Sequence, residues 1–414
     1  MAAEVANNAS MPSGPTDPEK AAVDLASNID QVKLEDSNTP TTTQTTVQPP
    51  DQTQQINESA VAANDVTIEK RPDVEPTTEL PAPPPAKTLN LPRTAAEGVI
   101  KTPLAEPLET SKPAPRPELE IEHENKYASL LKIVSAWTEI PETSAKGSNT
   151  TPLTDSERMF LTRECLLRYL RATSWNVAQA ETRLKNTLIW RREYGLEKHT
   201  KEYISIENAT GKQVILGWDI QGRTCQYLRP SKQNTERSDR QIQHLVFMLE
   251  RAIDLMPAGQ ETLALLINFA ETKSGQGATL SQGKQTLHIL QNHYPERLGR
   301  ALVTNLPFYI WGFFKLITPF IDPLTREKIK FNEDMGLHVP REQLLKESGG
   351  HVEFEYDHDV YWPALNELCE WRRAEYRRRW EEGGKRIGEY EGYLKGGDEK
   401  SLAEREKEAE QSSA

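Results

Sequence analysis

Leu263–Phe269 reads LALLINF, an almost unbroken apolar run closed off by Glu261–Thr262 before it and Glu271–Thr272 shortly after it. A run this short, without alternation between polar and apolar residues, predicts a strand in a sheet covered on both faces. Upstream, Lys212–Gly217 (KQVILG) and Thr224–Arg229 (TCQYLR) predict two strands joined by a turn at Asp219–Gly222, and Gln241–Leu255 predicts a helix. Downstream come a helix over Ser281–His293, a strand over Ala301–Leu306 and a short strand over Lys328–Phe331. Strands that alternate with helices define an α/β sheet with parallel members.

Helices precede this core. Tyr127–Trp137 (YASLLKIVSAW) is amphipathic, and Asp155–Ala172 places Leu161, Leu166, Leu167 and Leu170 on its apolar side. Asn176 is suited to cap a third helix that runs to Tyr194 and stops at Gly195, with Leu184, Leu188 and Trp190 spaced to face a core. A last helix is expected from near Pro363 to past Trp380. Its Arg372, Arg373, Arg377, Arg378 and Arg379, interleaved with Trp371, Tyr376 and Trp380, suit either docking on anionic lipid or a helix packed on the domain with a solvated arginine face.

Composition limits the rest. The chain has 414 residues and a formal net charge of -12, which argues against general nucleic-acid binding. No aromatic residue other than histidine occurs before Tyr127, and Pro, Thr, Gln, Ala and Glu dominate there. Such a segment cannot bury enough apolar area to offset its ordering entropy, so residues 1–120 are expected to be a disordered tail. Within it, Ala21–Ile29 has the composition of a short helix, and Pro81–Pro85 (PAPPP) is a stiff spacer or an SH3-type ligand. The expected division continues with a helical subdomain over 125–200, the sheet domain over 201–360, and a C-terminal helix with a polar tail over 361–414.

Cys165, Cys225 and Cys369 have neither disulfide nor metal-ligand spacing, which suits a reducing compartment, and no metal site is expected. Met1–Lys20 lacks a basic region followed by an apolar run, so a signal peptide is not expected. Leu306–Ile321 (LPFYIWGFFKLITPFI) is the most apolar stretch, but it is too short to span a bilayer and is interrupted by Lys315 and Pro319. No P-loop, dinucleotide-binding or G-x-S-x-G motif occurs; SGQG at Ser274–Gly277 is a loop after a strand. His288 and His293 have no third ligand nearby in sequence. Catalytic residues and cofactors are therefore not expected.

Several ordered blocks resemble the CRAL-TRIO lipid-binding family: LRYLRAT with WN at Leu167–Asn176, WRREYG at Trp190–Gly195, QGR at Gln221–Arg223, HYPERLG at His293–Gly299 and PFIDPLT at Pro319–Thr325. Gln241–Gln260 and Tyr356–Ala364 are similar to fungal phosphatidylinositol transfer proteins of the branch linked to azole tolerance. The resemblance implies a mostly parallel sheet flooring an apolar cavity, helices around it, and a mobile helix over the mouth. In this chain that gate helix is Phe308–Ile317, bearing Phe308, Trp311, Phe313 and Phe314, with Pro307 and Gly312 to ease movement. An ordinary core helix is the alternative.

The resemblance also implies a headgroup site made of Glu296 from the YPER motif with Thr325 and Lys328 after PFIDP. A carboxylate suits sugar hydroxyls, while a lysine and a hydroxyl suit a phosphodiester. Without the motifs, Glu296 and Lys328 would read as an ordinary surface pair. Two departures stand out. Thr173 occupies a position where relatives carry an arginine, leaving one charge fewer at the expected headgroup site. Where relatives that carry phosphatidylcholine place hydroxyls, this chain has Leu263, Leu265, Leu290, Ile215 and Gln226. A phosphate buried there without hydrogen-bond partners would cost roughly 2–7 kcal/mol. The expected function is phosphatidylinositol transfer without catalysis, with phosphatidylcholine a poor ligand and a sterol as a candidate second ligand. The alternative is a lipid-gated scaffold that presents the lipid to modifying enzymes. A cytoplasmic monomer in transient contact with internal membranes or lipid droplets is expected.

Overall fold

The computed structural model describes residues 90–94 and 98–413, apart from the side chains of Tyr309, Phe313 and Ser413. The expected helix at Ala21–Ile29 and the Pro81–Pro85 element lie outside the described residues.

The helical subdomain is built from α1 (Ile121–Ser135), a small antiparallel pair β1 (Glu139–Pro141) and β2 (Thr150–Pro152), α2 (Asp155–Phe160), α3 (Arg163–Arg171) and α4 (Val177–Tyr194). Leu130 and Val134 of α1, Leu166 and Leu170 of α3, and Leu184 and Leu188 of α4 interlock in one buried cluster with Leu161 and Ile140. Each such side chain contributes roughly 1.5–3 kcal/mol on burial. The Asn176 side chain accepts from Gln179 N to start α4, and Gly195 closes it at φ 69, as the sequence implies. The single helix expected over Asp155–Ala172 is instead two. Its break is tertiary: Leu161 O accepts from Gly388 N, Arg163 N donates to Glu389 O, and the Thr162 hydroxyl restarts the helix by accepting from Cys165 N.

After α5 (Lys201–Asn208) the main sheet begins: β3 (Gln213–Trp218), β4 (Thr224–Leu228), β5 (Leu263–Asn268), β6 (Leu298–Thr304) and β7 (Ile329–Phe331), side by side in chain order. β3 and β4 form an antiparallel hairpin; β4 to β7 are parallel. Parallel neighbours need long crossovers. Here α6 (Asp239–Asp254), α7 (Leu280–His293), and the pair α8 (Phe308–Ile317) and α9 (Pro323–Glu327) provide them. β6 starts earlier than expected, at Leu298, because the Leu263–Leu298 pair is followed by a register shift that leaves Gly299 unpaired. A Cβ at Gly299 would collide with the Arg223 guanidinium and the Thr262 hydroxyl, so the bulge depends on glycine.

Three sequence expectations change. The tail does not extend to residue 120: Ile100 bridges to Phe354, Leu104 is fully buried, and Gln343 donates to Arg93 O and Glu106 O. A proline-rich strand-like strap needs only a few apolar anchors when a preformed core supplies the rest of the surface. The last helix, α10 (His358–Glu382), starts five residues before Pro363, which sits where the missing N–H costs one intrahelical bond. The arginines of α10 are engaged within the chain. Arg372 reaches Ala105 O, Arg373 reaches Asp254, Arg377 reaches Ser156, Arg378 lies between Glu375 and Glu382, and Arg379 reaches Tyr393 O. These contacts pack the helix on the domain, and Arg373 and Arg378 stay partly exposed. Two short helices, α11 (Glu391–Leu394) and α12 (Leu402–Ser413), complete the chain.

Candidate lipid-binding site

Side chains directly opposite one another in a sheet share a face, and along each strand faces alternate. Ile215, Gln226, Leu265, Ala301 and Ile329 form one such row across all five strands. Leu263, two residues before Leu265, shares the face. Four of the five expected cavity residues therefore lie on one side of the sheet. Leu290, on α7, packs against the same core. Ile215, Gln226 and Leu263 are covered by protein, so they are not open lining here. Leu265 and Leu290 are only half-buried. Leu265 sits on a strand with neighbours on both sides, so its residual exposure marks open space above the middle of the sheet.

The same face is roofed at the β5–β7 side by α8. Ile310 and Phe314 point inward onto Phe269, Val303, Ile267 and Phe331. Phe314 and Phe331 meet edge to face at 5.7 Å. The other side of α8 is open: Phe308 is 85% exposed, Leu316 59% and Trp311 39%. Phe320 and Leu324 extend this apolar surface beyond the helix. The expected gate residues thus divide: Phe308 outward, Phe314 inward, and Trp311 at the edge, partly exposed with its ring 4.9 Å from Phe331, while the Phe313 side chain lies outside the described residues. A Cβ at Gly312 would meet nothing within 4 Å, so packing does not demand the glycine.

The expected headgroup residues lie at the N-terminal ends of the parallel strands. Glu296, just before β6, adopts a left-handed backbone at φ 58. That conformation costs a non-glycine residue on the order of 1–3 kcal/mol and tends to survive at functional positions. Its carboxylate accepts from Arg171 Nε at 2.6 Å, and both side chains are about one-third exposed. Arg171 was missed by sequence reasoning; its partner lies 125 residues away, and no local pattern couples them. Glu261, just before β5, holds Arg171 at 3.4 Å and Arg168 at 2.5 Å, and Arg168 also pairs with Glu391. Arg116, from the strap, closes the network on Glu261 and Glu164. Burial alone would raise the Glu261 carboxyl, but Arg168, Arg116 and Arg171 hold it below its usual range. Helix α3 is thereby fixed across the starts of β5 and β6.

Thr325 and Lys328 lie one strand further on. Asp322 caps α9 by accepting from Thr325 N, and Lys328 ends that helix. Burial pushes the Asp322 carboxyl up, but the Thr325 hydroxyl and backbone N–H outweigh it and bring it below its usual range. Lys328 O accepts from Ala301 N, which ties the lysine to β6. No hydrogen bond or ion pair joins Lys328 to Glu296; they share an end of the sheet without touching. Thr173 fits its expected role least well. Its hydroxyl lies within hydrogen-bond reach of the carbonyls of Tyr169, Leu170 and Asn176, so its one proton serves the end of α3. Two grooves of about 540 and 440 Å³ open on the helical subdomain around His293, and none of the expected lipid-binding residues lines them.

Parallel sheet, roofing helix and helical subdomain together define the class: the chain belongs to the CRAL-TRIO family, with residues 208–350 matching the CRAL/TRIO domain and 126–186 the CRAL/TRIO N-terminal domain. It is 54% identical over 278 residues to a CRAL-TRIO domain-containing protein of Schizosaccharomyces pombe, a match spanning 67% of this chain and 28% of that protein. It is 41% identical over 230 residues to the phosphatidylinositol transfer protein PDR17 of Saccharomyces cerevisiae, spanning 53% of this chain and 66% of that one. Similarity to the SEC14 cytosolic factor of Candida glabrata is lower, 28% over 235 residues, with 51% and 77% covered. The chain thus spans just under two-thirds of PDR17 and less than a third of the fission-yeast relative.

Proposed function

We propose that the chain is a non-catalytic carrier that binds phosphatidylinositol and exchanges it between membranes. The observation that carries this reading is α8, whose inner side closes over the sheet while Phe308 and Leu316 face solvent. Such a helix can cover acyl chains when closed and lie in a bilayer interface when open. Among the described residues no helix is long and apolar enough to cross a membrane, so contact would be peripheral. The similarity to a protein named for phosphatidylinositol transfer supports the headgroup assignment.

In this reading Glu296 accepts from inositol hydroxyls, and Lys328 and Thr325 bind the phosphodiester. Arg171, paired with Glu296, supplies a second cation near the headgroup that neutral Thr173 does not. Phosphatidylcholine should bind poorly: the row offers its phosphate only the Gln226 amide, which already donates to Gln213 at 2.8 Å. A sterol, needing one polar partner, is the second ligand this surface suits. The reading further places the protein in the cytoplasm, on internal membranes or lipid droplets.

The test is transfer of fluorescent phosphatidylinositol from donor to acceptor vesicles. Protein-dependent transfer of this lipid, and little of the phosphatidylcholine analogue, is expected. Binding without transfer would instead identify a lipid-gated scaffold; neither binding nor transfer would overturn both.

A further inference from the structure

The blocks WRREYG and HYPERLG, about a hundred residues apart in sequence, meet beside Glu296. Arg297 N donates to Tyr294 O at 3.4 Å, closing a four-residue turn with Pro295 and Glu296 as its central pair. Proline fixes the first central residue at φ of about −65°. Glu296, at φ 58, then makes this a type II turn, whose second central position favours glycine. A glutamate there is strained, and such strain persists only where the surroundings over-determine the backbone.

Both ends of the turn are clamped. After it, Arg297 Nη1 donates to Glu261 O at 2.9 Å and Arg297 O accepts from Leu263 N at 2.9 Å, which stitches that end to β5. Before it, the buried Tyr294 ring meets Trp190 edge to face at 5.9 Å. The Tyr294 hydroxyl donates to Glu250 Oε1 at 2.6 Å, and the same oxygen accepts from Arg191 Nη1 at 2.8 Å. Burial, with Glu250 beside it, pushes the Tyr294 phenol well above its usual range, so the phenol keeps its proton and donates. Burial alone would raise the Glu250 carboxyl, but Arg191 and the Tyr294 hydroxyl bring it down to about 2, so it accepts as a full charge. We infer that Tyr294, held by Glu250 and Arg191, is a positioning residue for Glu296: it fixes the entry to the strained turn and so sets where the carboxylate meets an inositol ring. Trp190 and Arg191 act on the headgroup through this turn, which gives the WRREYG block a part in recognition.

The role assigned to Tyr294 rests on the phosphatidylinositol reading, and a double-mutant cycle tests the two separately. Fluorescent phosphatidylinositol bound to the full-length protein is displaced by the unlabelled lipid in wild type, Tyr294→Phe, Glu296→Ala and the double variant. Tyr294→Phe keeps the ring and deletes the phenol bond. It should weaken binding by roughly 5- to 10-fold, the worth of one net hydrogen bond. In the Glu296→Ala background the same change should move affinity by less than about 2-fold, because no carboxylate remains to be misplaced. Glu250→Asp, which draws the carboxylate back from the phenol and leaves Arg191 a countercharge, should show the same pattern. A residue that only supports the fold would cost as much in either background. With Glu296→Ala weakening binding, an unchanged affinity in Tyr294→Phe, or equal losses in both backgrounds, overturns the positioning role and leaves the headgroup reading standing. Wild-type affinity in Glu296→Ala overturns both together.

Discussion

Replacing Phe308 by Ser probes the outward side of α8 with little disturbance to the core. The ring is 85% exposed. An aromatic side chain buries about 150–250 Å² when covered, so the substitution removes roughly 120 Å² of apolar surface available to a bilayer. At ~25 cal/mol/Å² full immersion of that area is worth about 3 kcal/mol, and half-immersion at the interface about 1.5 kcal/mol. The latter is about a ten-fold loss in vesicle binding and, where membrane contact limits exchange, in transfer rate. Folding stability should move by less than about 0.5 kcal/mol, as for other exposed positions. Co-sedimentation with anionic vesicles and fluorescent-lipid transfer measure the first effect, and denaturant unfolding the second. Phe308→Leu should lose far less than Phe308→Ser. Wild-type membrane binding in Phe308→Ser, or equal losses in both variants, would refute the idea that this side of the helix enters lipid.

Lys328→Ala and Glu296→Ala should each weaken phosphatidylinositol binding by about 10- to 100-fold, the range for losing a charge-assisted hydrogen bond, with unfolding midpoints shifted only slightly. A chain beginning at residue 125 should be less stable than one beginning at 90 by roughly 3–5 kcal/mol in urea unfolding, since it lacks the buried Leu104 and the Arg116 partner of Glu164 and Glu261. Burial, with help from His288, Arg183 and Arg191, pushes His293 down to about 4, whereas the unfolded chain titrates it near 6.5. The unfolded state therefore binds this proton first, so stability is complete above about pH 6.5 and falls as pH drops toward 4; His293→Gln should flatten that part of a melting-temperature profile.

Much of the fold is visible in local sequence because local chemistry decides it. Phe308–Ile317 is bounded by Pro307 and by Thr318–Pro319, and the helix has the limits its apolar run indicates. Asn176 and Gly195 delimit α4 by side-chain capping and a left-handed backbone. Features fixed by distant partners could not be read. The break at Leu161–Thr162 depends on Gly388 and Glu389, and the order from residue 98 depends on Phe354 and Gln343. The candidate site shows the same division. Motif spacing singled out Glu296, Thr325 and Lys328 as headgroup candidates, yet it gave no sign of the Arg171–Glu296 pair or of the Thr173 hydroxyl being used at the helix end. Gln226 was legible as a substituted position, but its relay through Gln213 to His244 emerges only when β3, β4 and α6 come together.

The most direct test of the carrier reading is mass spectrometry of the lipid that remains with the full-length protein purified from a eukaryotic cytosol. Phosphatidylinositol should be the dominant phospholipid, near one molecule per chain, with phosphatidylcholine a minor species despite its abundance in membranes. Abundant bound phosphatidylcholine, or protein free of any phospholipid, would contradict the account.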